Sequence, residues 1–208
     1  MLVKLVRRIA NKIRHCRYKK IKIKGKNNIL QMPEWSTKVF IYGNNNKVVI
    51  ADTAQFKGEI CIGAPDCHTD NCTVTIGENT QSNGTAIRLL EDNSTVDIGS
   101  DCLFSTNINI ACSDTHSILD FDDNLLNIGK SVQIGNRVWL CQDVKISKNV
   151  AISDNCVVGM GSIVTKSFSE PNCIIAGSPA QVVKRKVKWS KLRPKQYMNL
   201  TKEGQNNG

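Results

Sequence analysis

The sequence predicts an all-β fold: a column of short parallel strands wound three to a coil, with a basic helical arm before it and a short basic extension after it. Three observations carry this. From Ile128 an aliphatic residue returns every six positions, at Ile134, Leu140, Ile146, Ile152, Val158 and Val164. Four residues after each stands a mostly small or β-branched partner: Val132, Val138, Val144, Val150, Cys156, Ser162 and Phe168. The residue directly after the leading aliphatic is often small, as at Gly129, Gly135, Cys141, Ser147, Ser153 and Gly159. A helix of 3.6 residues per turn would scatter positions six apart over different faces, and about forty residues is too long for one strand. A chain that bends every six residues meets both constraints. Three hexads make a triangular coil of about 18 residues, stacked on the next at about 4.8 Å. The aliphatics then fill the interior, and the small residues sit where a bend brings backbones close.

In chain order, residues 1–24 form the arm. Leu2, Leu5, Val6, Ile9 and Ile13 have helical spacing, with Lys4, Arg7, Arg8, Lys12 and Arg14 largely opposite. Two readings stand: the apolar stripe lies on the protein's own body, or it lies on a membrane surface, where each cation adds about 1 kcal/mol of attraction to anionic lipid. The cations leave no apolar stretch of the kind an export signal needs, and no later run is long enough to span a bilayer. Residues 25–183 form the coiled body. Its phase extends backwards through Ile110, Phe104 and Ile98, and more loosely through Ile76-Gly77, Ile62-Gly63, Ile50, Val48 and Ile29. Gly25-Lys26-Asn27-Asn28 and Gly43-Asn44-Asn45-Asn46 read as equivalent bends one coil apart, because Gly and Asn tolerate positive φ. The count fails once. His116 falls where an aliphatic belongs and Asp122 falls at the next such slot, so residues 117–127 are expected to leave the coil as a loop. Residues 184–208 form the basic extension, its end expected to be disordered.

The 208-residue length suits one domain with appendages. Its net charge of +10 divides unevenly. Residues 1–26 hold 11 Lys and Arg and no acid, residues 27–183 hold 9 basic and 17 acidic residues, and residues 184–208 hold 8 basic and one acidic. An acidic body with basic ends and 5% aromatics does not describe a nucleic-acid binder, so no nucleic-acid partner is expected. The 9 cysteines are read as small, unpaired thiols of a protein in the reducing cytoplasm. Cys61, Cys67, His68 and Cys72 lie close together, but no CxxC pair occurs, so no metal is expected.

Four stretches carry a more specific pattern: Ser113-Asp114-Thr115-His116-Ser117-Ile118; Ile134-Gly135-Asn136-Arg137-Val138-Trp139-Leu140; Val158-Gly159-Met160-Gly161-Ser162-Ile163-Val164-Thr165-Lys166; and Ala176-Gly177-Ser178-Pro179-Ala180. Together they resemble the hexapeptide-repeat acyltransferases, in the branch that O-acetylates sugars. The resemblance implies a left-handed parallel β-helix, a handedness that the repeat alone does not give. It further implies a homotrimer, acetyl-CoA as co-substrate, and a sugar or polysaccharide acceptor. By the same resemblance His116 is the catalytic base and Trp139 lies by the reacting centre. Cys141, Gln142, Met160, Thr165, Lys166 and Lys184 line a cofactor groove between adjacent subunits, and Asn83 holds the acceptor hydroxyl. Asp114 is a candidate to orient the imidazole. Cys141, Gln142 and Met160 depart from the small residues usual at their positions.

The chemistry suits these residue types. A sugar hydroxyl needs a base within hydrogen-bond reach, and histidine is the side chain whose ordinary titration lies nearest neutrality. The oxyanion of the thioester needs fixed donors, which the Trp139 indole N–H or backbone N–H groups near Cys141 supply. No GxSxG elbow occurs, which favours direct attack over a covalent acyl-enzyme. Two alternatives remain open, an N-acetyltransferase acting on an amino-sugar nucleotide and a non-catalytic polysaccharide- or membrane-binding scaffold. A three-histidine metal site is not available, since the chain has only His15, His68 and His116.

Overall fold

The computed structural model describes residues 21–33 and 37–206, with side chains through 200. The arm's predicted helix lies outside the described residues, and the last four residues assigned to the arm, Ile21–Lys24, are instead a strand of the column. From Ile21 the chain winds a three-sided column. The first face stacks β2 (Ile29–Gln31), β4 (Lys47–Ile50), β6 (Thr73–Ile76), β8 (Thr95–Ile98), β11 (Ser131–Ile134) and β14 (Val150–Ile152), all parallel. The second face stacks the leading residues of β5 (Gln55–Ile62) and β7 (Gln81–Leu89), then β9 (Leu103–Phe104), β12 (Trp139–Leu140), β15 (Val157–Val158) and β17 (Ile174–Gly177). The third carries β1 (Ile21–Lys24), β3 (Thr37–Tyr42), the trailing parts of β5 and β7, then β10 (Ile108–Ala111), β13 (Lys145–Ile146) and β16 (Ile163–Val164).

The hexad count gives the register directly. Val132 pairs with Val150 and Ile146 with Val164, each 18 residues on. The leading aliphatics Ile134, Leu140, Ile146, Ile152, Val158 and Val164 are buried, and so are their partners from Val132 to Phe168. Two inward side chains per strand fill each layer of a continuous core, in which Phe56 and Phe104 meet edge to face at 6.3 Å. Ile128 is the exception. It is 53% exposed, because the chain is still returning from the loop and rejoins the coil only at Gly129, whose N–H donates to Glu91 Oε2 at 2.7 Å.

The corners explain the small and amide-bearing residues. Asn27, Asn45, Asn71 and Asn93 share positive φ in successive coils at the corner between the third and first faces. Asn45 N–H donates to the Lys26 carbonyl and Asn71 N–H to the Asn44 carbonyl. The carboxamides continue the ladder, Asn27 to Asn45 and Asn45 to Asn71, each at 3.2 Å. Gly43, with φ +144°, could not carry a side chain: a Cβ there would lie 2.0 Å from the Thr69 carbonyl oxygen. The two Gly-Asn bends are thus equivalent corners, as their spacing predicts.

Two expectations need correction. The loop leaves earlier and rejoins later than residues 117–127. Cys112 still donates to the Arg88 carbonyl, and regular pairing resumes only with β11, so residues 113–128 lie outside the coil. Asp114 and Thr115 cannot follow the strand, since Thr115 takes a φ of 73°. The C-terminal extension is not a featureless basic tail either. The chain turns through Gly177–Pro179 into β18 (Ala180–Lys184), antiparallel to β17, then runs back along the column as a strap and forms helix α1 (Pro194–Asn206). The strap is held by Val187 N–H to the Asn172 carbonyl and by Trp189 Nε1 to the Arg137 carbonyl at 2.7 Å.

Five of the described cysteines occupy interior slots, while Cys67 is exposed and Cys61 and Cys141 are partly buried. Cys72, Cys102, Cys112, Cys156 and Cys173 are buried, and burial pushes the thiols of Cys72 and Cys102 up to about 11 and that of Cys112 up to about 12. Of the residues weighed for metal binding, Cys61 donates to Glu59 and Cys72 packs against the Asp70 and Glu91 carbonyls. Among the described residues no helix is long and apolar enough to cross a membrane.

Candidate active site

His116 stands on the excursion that leaves the corner between the third and first faces. The loop turns sharply because Ser113 Oγ accepts the Thr115 N–H at 3.0 Å and Thr115 takes positive φ, which swings His116 outward. Beneath it opens a cleft of about 640 Å³, walled by Leu90 to Asn93 of the preceding coil and by Asn127 to Lys130 of the returning loop. Such a volume suits a small organic ligand.

Asn127 holds this loop together. Its carboxamide nitrogen donates to Asp114 Oδ2 at 2.9 Å and to the His116 carbonyl at 2.8 Å, while its Oδ1 accepts the Ile118 N–H at 2.8 Å. Asp114 is in turn ion-paired with Lys148, which rises from the next coil at the same corner. The Lys148 ammonium, and then the Asn127 amide, hold the Asp114 carboxyl below the usual carboxylate range. The Asp114 carboxylate thus bonds to Lys148 and Asn127, and it braces the loop carrying His116 through Asn127. Neither Asn127 nor Lys148 stands out in the sequence. Asn127 is one Asn among many, and Lys148 could be found only by asking which residue the repeat brings under the loop.

Asn127→Ala removes three hydrogen bonds around the His116 backbone and leaves the core untouched. We expect turnover to fall about tenfold or more with the unfolding midpoint nearly unchanged. Steady-state kinetics beside a thermal melt checks this, and unaltered kinetics would remove Asn127 from the site.

The remaining sequence-predicted residues fall on two edges of the column. Thr165 and Lys166 follow β16 at the corner between the third and first faces, one coil beyond Lys148, and Lys166 Nζ donates to Gln181 Oε1 at 2.7 Å. Cys141 and Gln142 lie one coil before Met160 at the corner between the second and third faces, tied by Gly161 N–H to the Gln142 carbonyl, and Asn83 lies at the same corner two coils before Cys141. Met160 is 70% exposed, a large apolar side chain with no cover of its own. The Cys141 thiol is raised by burial, which disfavours a thiolate nucleophile. Lys184 ends β18, at the last coil.

Trp139 lies on the second face, across the prism from the corner that bears His116. Its ring packs on Trp189 at 5.9 Å. A single protomer therefore does not bring His116 and Trp139 together. It presents two half-sites: the imidazole with Thr165 and Lys166 along one edge, and the indole with Asn83, Cys141, Gln142 and Met160 along another.

A column of parallel strands wound three hexads to a coil is a hexapeptide-repeat fold. No family model matches the sequence. A polysialic acid O-acetyltransferase of Neisseria meningitidis is 38% identical over 157 residues, which cover 75% of this chain and 70% of that protein. One of Escherichia coli O1:K1 / APEC is 31% identical over 145 residues, 69% of this chain but only 45% of that protein. Among solved structures, the polysialic acid-specific acetyltransferase NeuO superposes with a TM-score of 0.73 at 25% identity, over 90% of this chain and all of that one. The chain belongs to the hexapeptide-repeat acetyltransferases, in the branch of the sugar O-acetyltransferases. It spans about half the length of the Escherichia coli relative it matches.

Proposed function

We propose that the protein is an acetyl-CoA-dependent O-acetyltransferase acting on a hydroxyl of a bacterial surface polysaccharide, a sialic acid or hexose unit. The observation that carries the reading is His116 exposed over a 640 Å³ cleft, on a loop that a dedicated network braces. The acceptor hydroxyl attacks the thioester carbonyl carbon as the imidazole of His116 takes its proton. The carbonyl oxygen becomes an oxyanion, which the Trp139 indole N–H or backbone N–H groups near Cys141 are suited to stabilise. Collapse breaks the C–S bond, and the thiolate leaves with the proton returned by the imidazolium. Transfer is direct, without an acyl-enzyme: burial raises the Cys141 thiol, which disfavours the thiolate that a covalent intermediate would need.

The two half-sites support a cyclic homotrimer. In a closed ring each protomer uses two different patches, so the His116 edge of one copy meets the Trp139 edge of the next. The loop supports this too, because Ile118, Leu119, Leu125 and Leu126 are all half exposed or nearly so on a single excursion, as residues that cover a neighbour would be. Thr165, Lys166 and Lys184 then serve the CoA side, with the two ammonium groups near its phosphates. The amphipathic spacing and cations of residues 1–24 support a cytoplasmic enzyme held peripherally at the inner face of the membrane.

Incubation with acetyl-CoA and a panel of oligosialic acid, hexose oligomers and amino-sugar nucleotides tests the reading. A mass gain of one acetyl group on a hydroxylated acidic or neutral glycan is expected. Transfer only to the amine of the amino-sugar nucleotide, or to nothing in the panel, would overturn it.

A further inference from the structure

A second cleft, of about 590 Å³, opens at the corner between the first and second faces, where none of the proposed catalytic or CoA-binding residues lie. Its floor is the ladder of Arg137, Asn155 and Asn172, one per coil, each in the left-handed conformation with φ of 52°, 61° and 59°. That backbone turns all three side chains outward along one line. Its wall is the C-terminal strap, which contributes Lys188, Trp189 and Ser190. The strap is fixed where it matters: Trp189 spends its indole N–H on the Arg137 carbonyl, and Lys191 Nζ reaches the Asn79 carbonyl two coils lower, at 3.2 Å. The Trp189 ring is thereby pinned against the column rather than loose on a tail.

The lining has a definite chemistry. It holds two cations and no carboxylate. Arg137 Nε donates to Asn155 Oδ1 at 3.2 Å, which sets its guanidinium 5.7 Å from the Trp189 ring. The Lys188 ammonium and the Asn172 carboxamide have no protein partner among the described residues. A cleft of this volume with converging unspent donors is built for a ligand, and cations without acids select an anion. The carboxamides of the ladder and the Ser190 hydroxyl of the wall match the donors and acceptors of sugar hydroxyls, and the half-buried Trp189 indole adds apolar surface for a sugar ring. The cleft also connects to the reacting centre, since Trp189 packs on Trp139 at 5.9 Å.

We infer that this cleft is a subsite for an anionic oligosaccharide: it holds acidic sugar units of the acceptor chain next to the unit whose hydroxyl is acetylated. The inference rests on the acetyl-transfer reading for its role, though not for its binding chemistry. It explains why the extension after β18 doubles back along the column instead of ending there. It also implies a preference for acceptors several units long, because a single sugar cannot occupy the Trp139 half-site and the strap cleft together.

Oligosialic acid of about six units and maltohexaose, a neutral oligomer of equal length, serve as probes, with binding followed by isothermal calorimetry and transfer by steady-state kinetics. The variants are Lys188→Glu and Asn172→Ala, which leave the Trp189–Trp139 packing in place. Wild-type protein is expected to bind oligosialic acid and not maltohexaose. Lys188→Glu is expected to raise the dissociation constant and the acceptor KM about tenfold, as loss of a charge-assisted contact does, with KM for acetyl-CoA unchanged. Equal binding of both oligomers, no binding of oligosialic acid, or unaltered binding in both variants would overturn the subsite. Should wild-type protein transfer no acetyl group while Lys188→Glu still weakens binding, the catalytic reading fails and the subsite stands.

Discussion

His116→Ala is expected to lower the rate of acetyl transfer by about 10²–10⁴-fold, the usual worth of a positioned general base, with the unfolding midpoint unchanged. The separation follows from where the residue sits. His116 is exposed on the excursion, and the bond the structure gives it runs through its backbone carbonyl, which Asn127 clasps. Removing the imidazole therefore leaves the loop braced by Asn127, Asp114 and Lys148 and leaves every core layer intact. The KM for acetyl-CoA should hardly move, because the loss falls on the transition state, where the proton is in flight, and not on ground-state binding. His116→Gln, which keeps size and hydrogen bonding without basicity, should be as slow as the alanine variant. Turnover within a few-fold of wild type in either variant would remove His116 from the chemistry.

The parts legible in the sequence are those that repeat. A period of six fixed the register from Ile134 to Val164, and the Gly-Asn bends near residues 25 and 43 gave two corners. The break at His116 marked the excursion because an imidazole cannot replace an aliphatic in a dry layer. Its limits are not legible in the sequence, since Ser113 and Ile128, at its two ends, are residues that a coil also accepts. The strap was illegible for a different reason. Residues 184–208 read only as a basic extension, and only the stacked corner at Arg137 and Asn172, created by the fold, gives Val187 and Trp189 something to hold. The same holds for Lys148, whose pairing with Asp114 joins two residues 34 apart in the chain. A separation of 23 residues between His116 and Trp139 does not measure how far apart they lie around the column, because the coil that contains the loop spans 36 residues from Phe104 to Leu140. The loop takes up the chain as far as Ile128, so only the stretch from Gly129 to Trp139, little more than half a coil, separates the two around the column.

That opposition makes a mixing experiment decisive for the trimer. His116→Ala and Trp139→Ala are each expected to be nearly inactive alone. When equal amounts are unfolded and reassembled together, about a quarter of wild-type activity should return, because random assembly of a closed ring pairs an intact imidazole with an intact neighbouring indole at one interface in four. The imidazole must come from a Trp139→Ala copy and the indole from the adjacent His116→Ala copy, each present with even odds. Sites confined to one protomer would gain nothing from mixing, since every copy would still carry one defect. The outcome thus separates two geometries that the single variants cannot tell apart. It also bears on the departures at Cys141, Gln142 and Met160: they share the Trp139 edge, so a recovered quarter would assign them to the neighbour's face of the groove, opposite Thr165 and Lys166. Recovery indistinguishable from the unmixed variants, with both shown to refold, would return the whole site to a single chain.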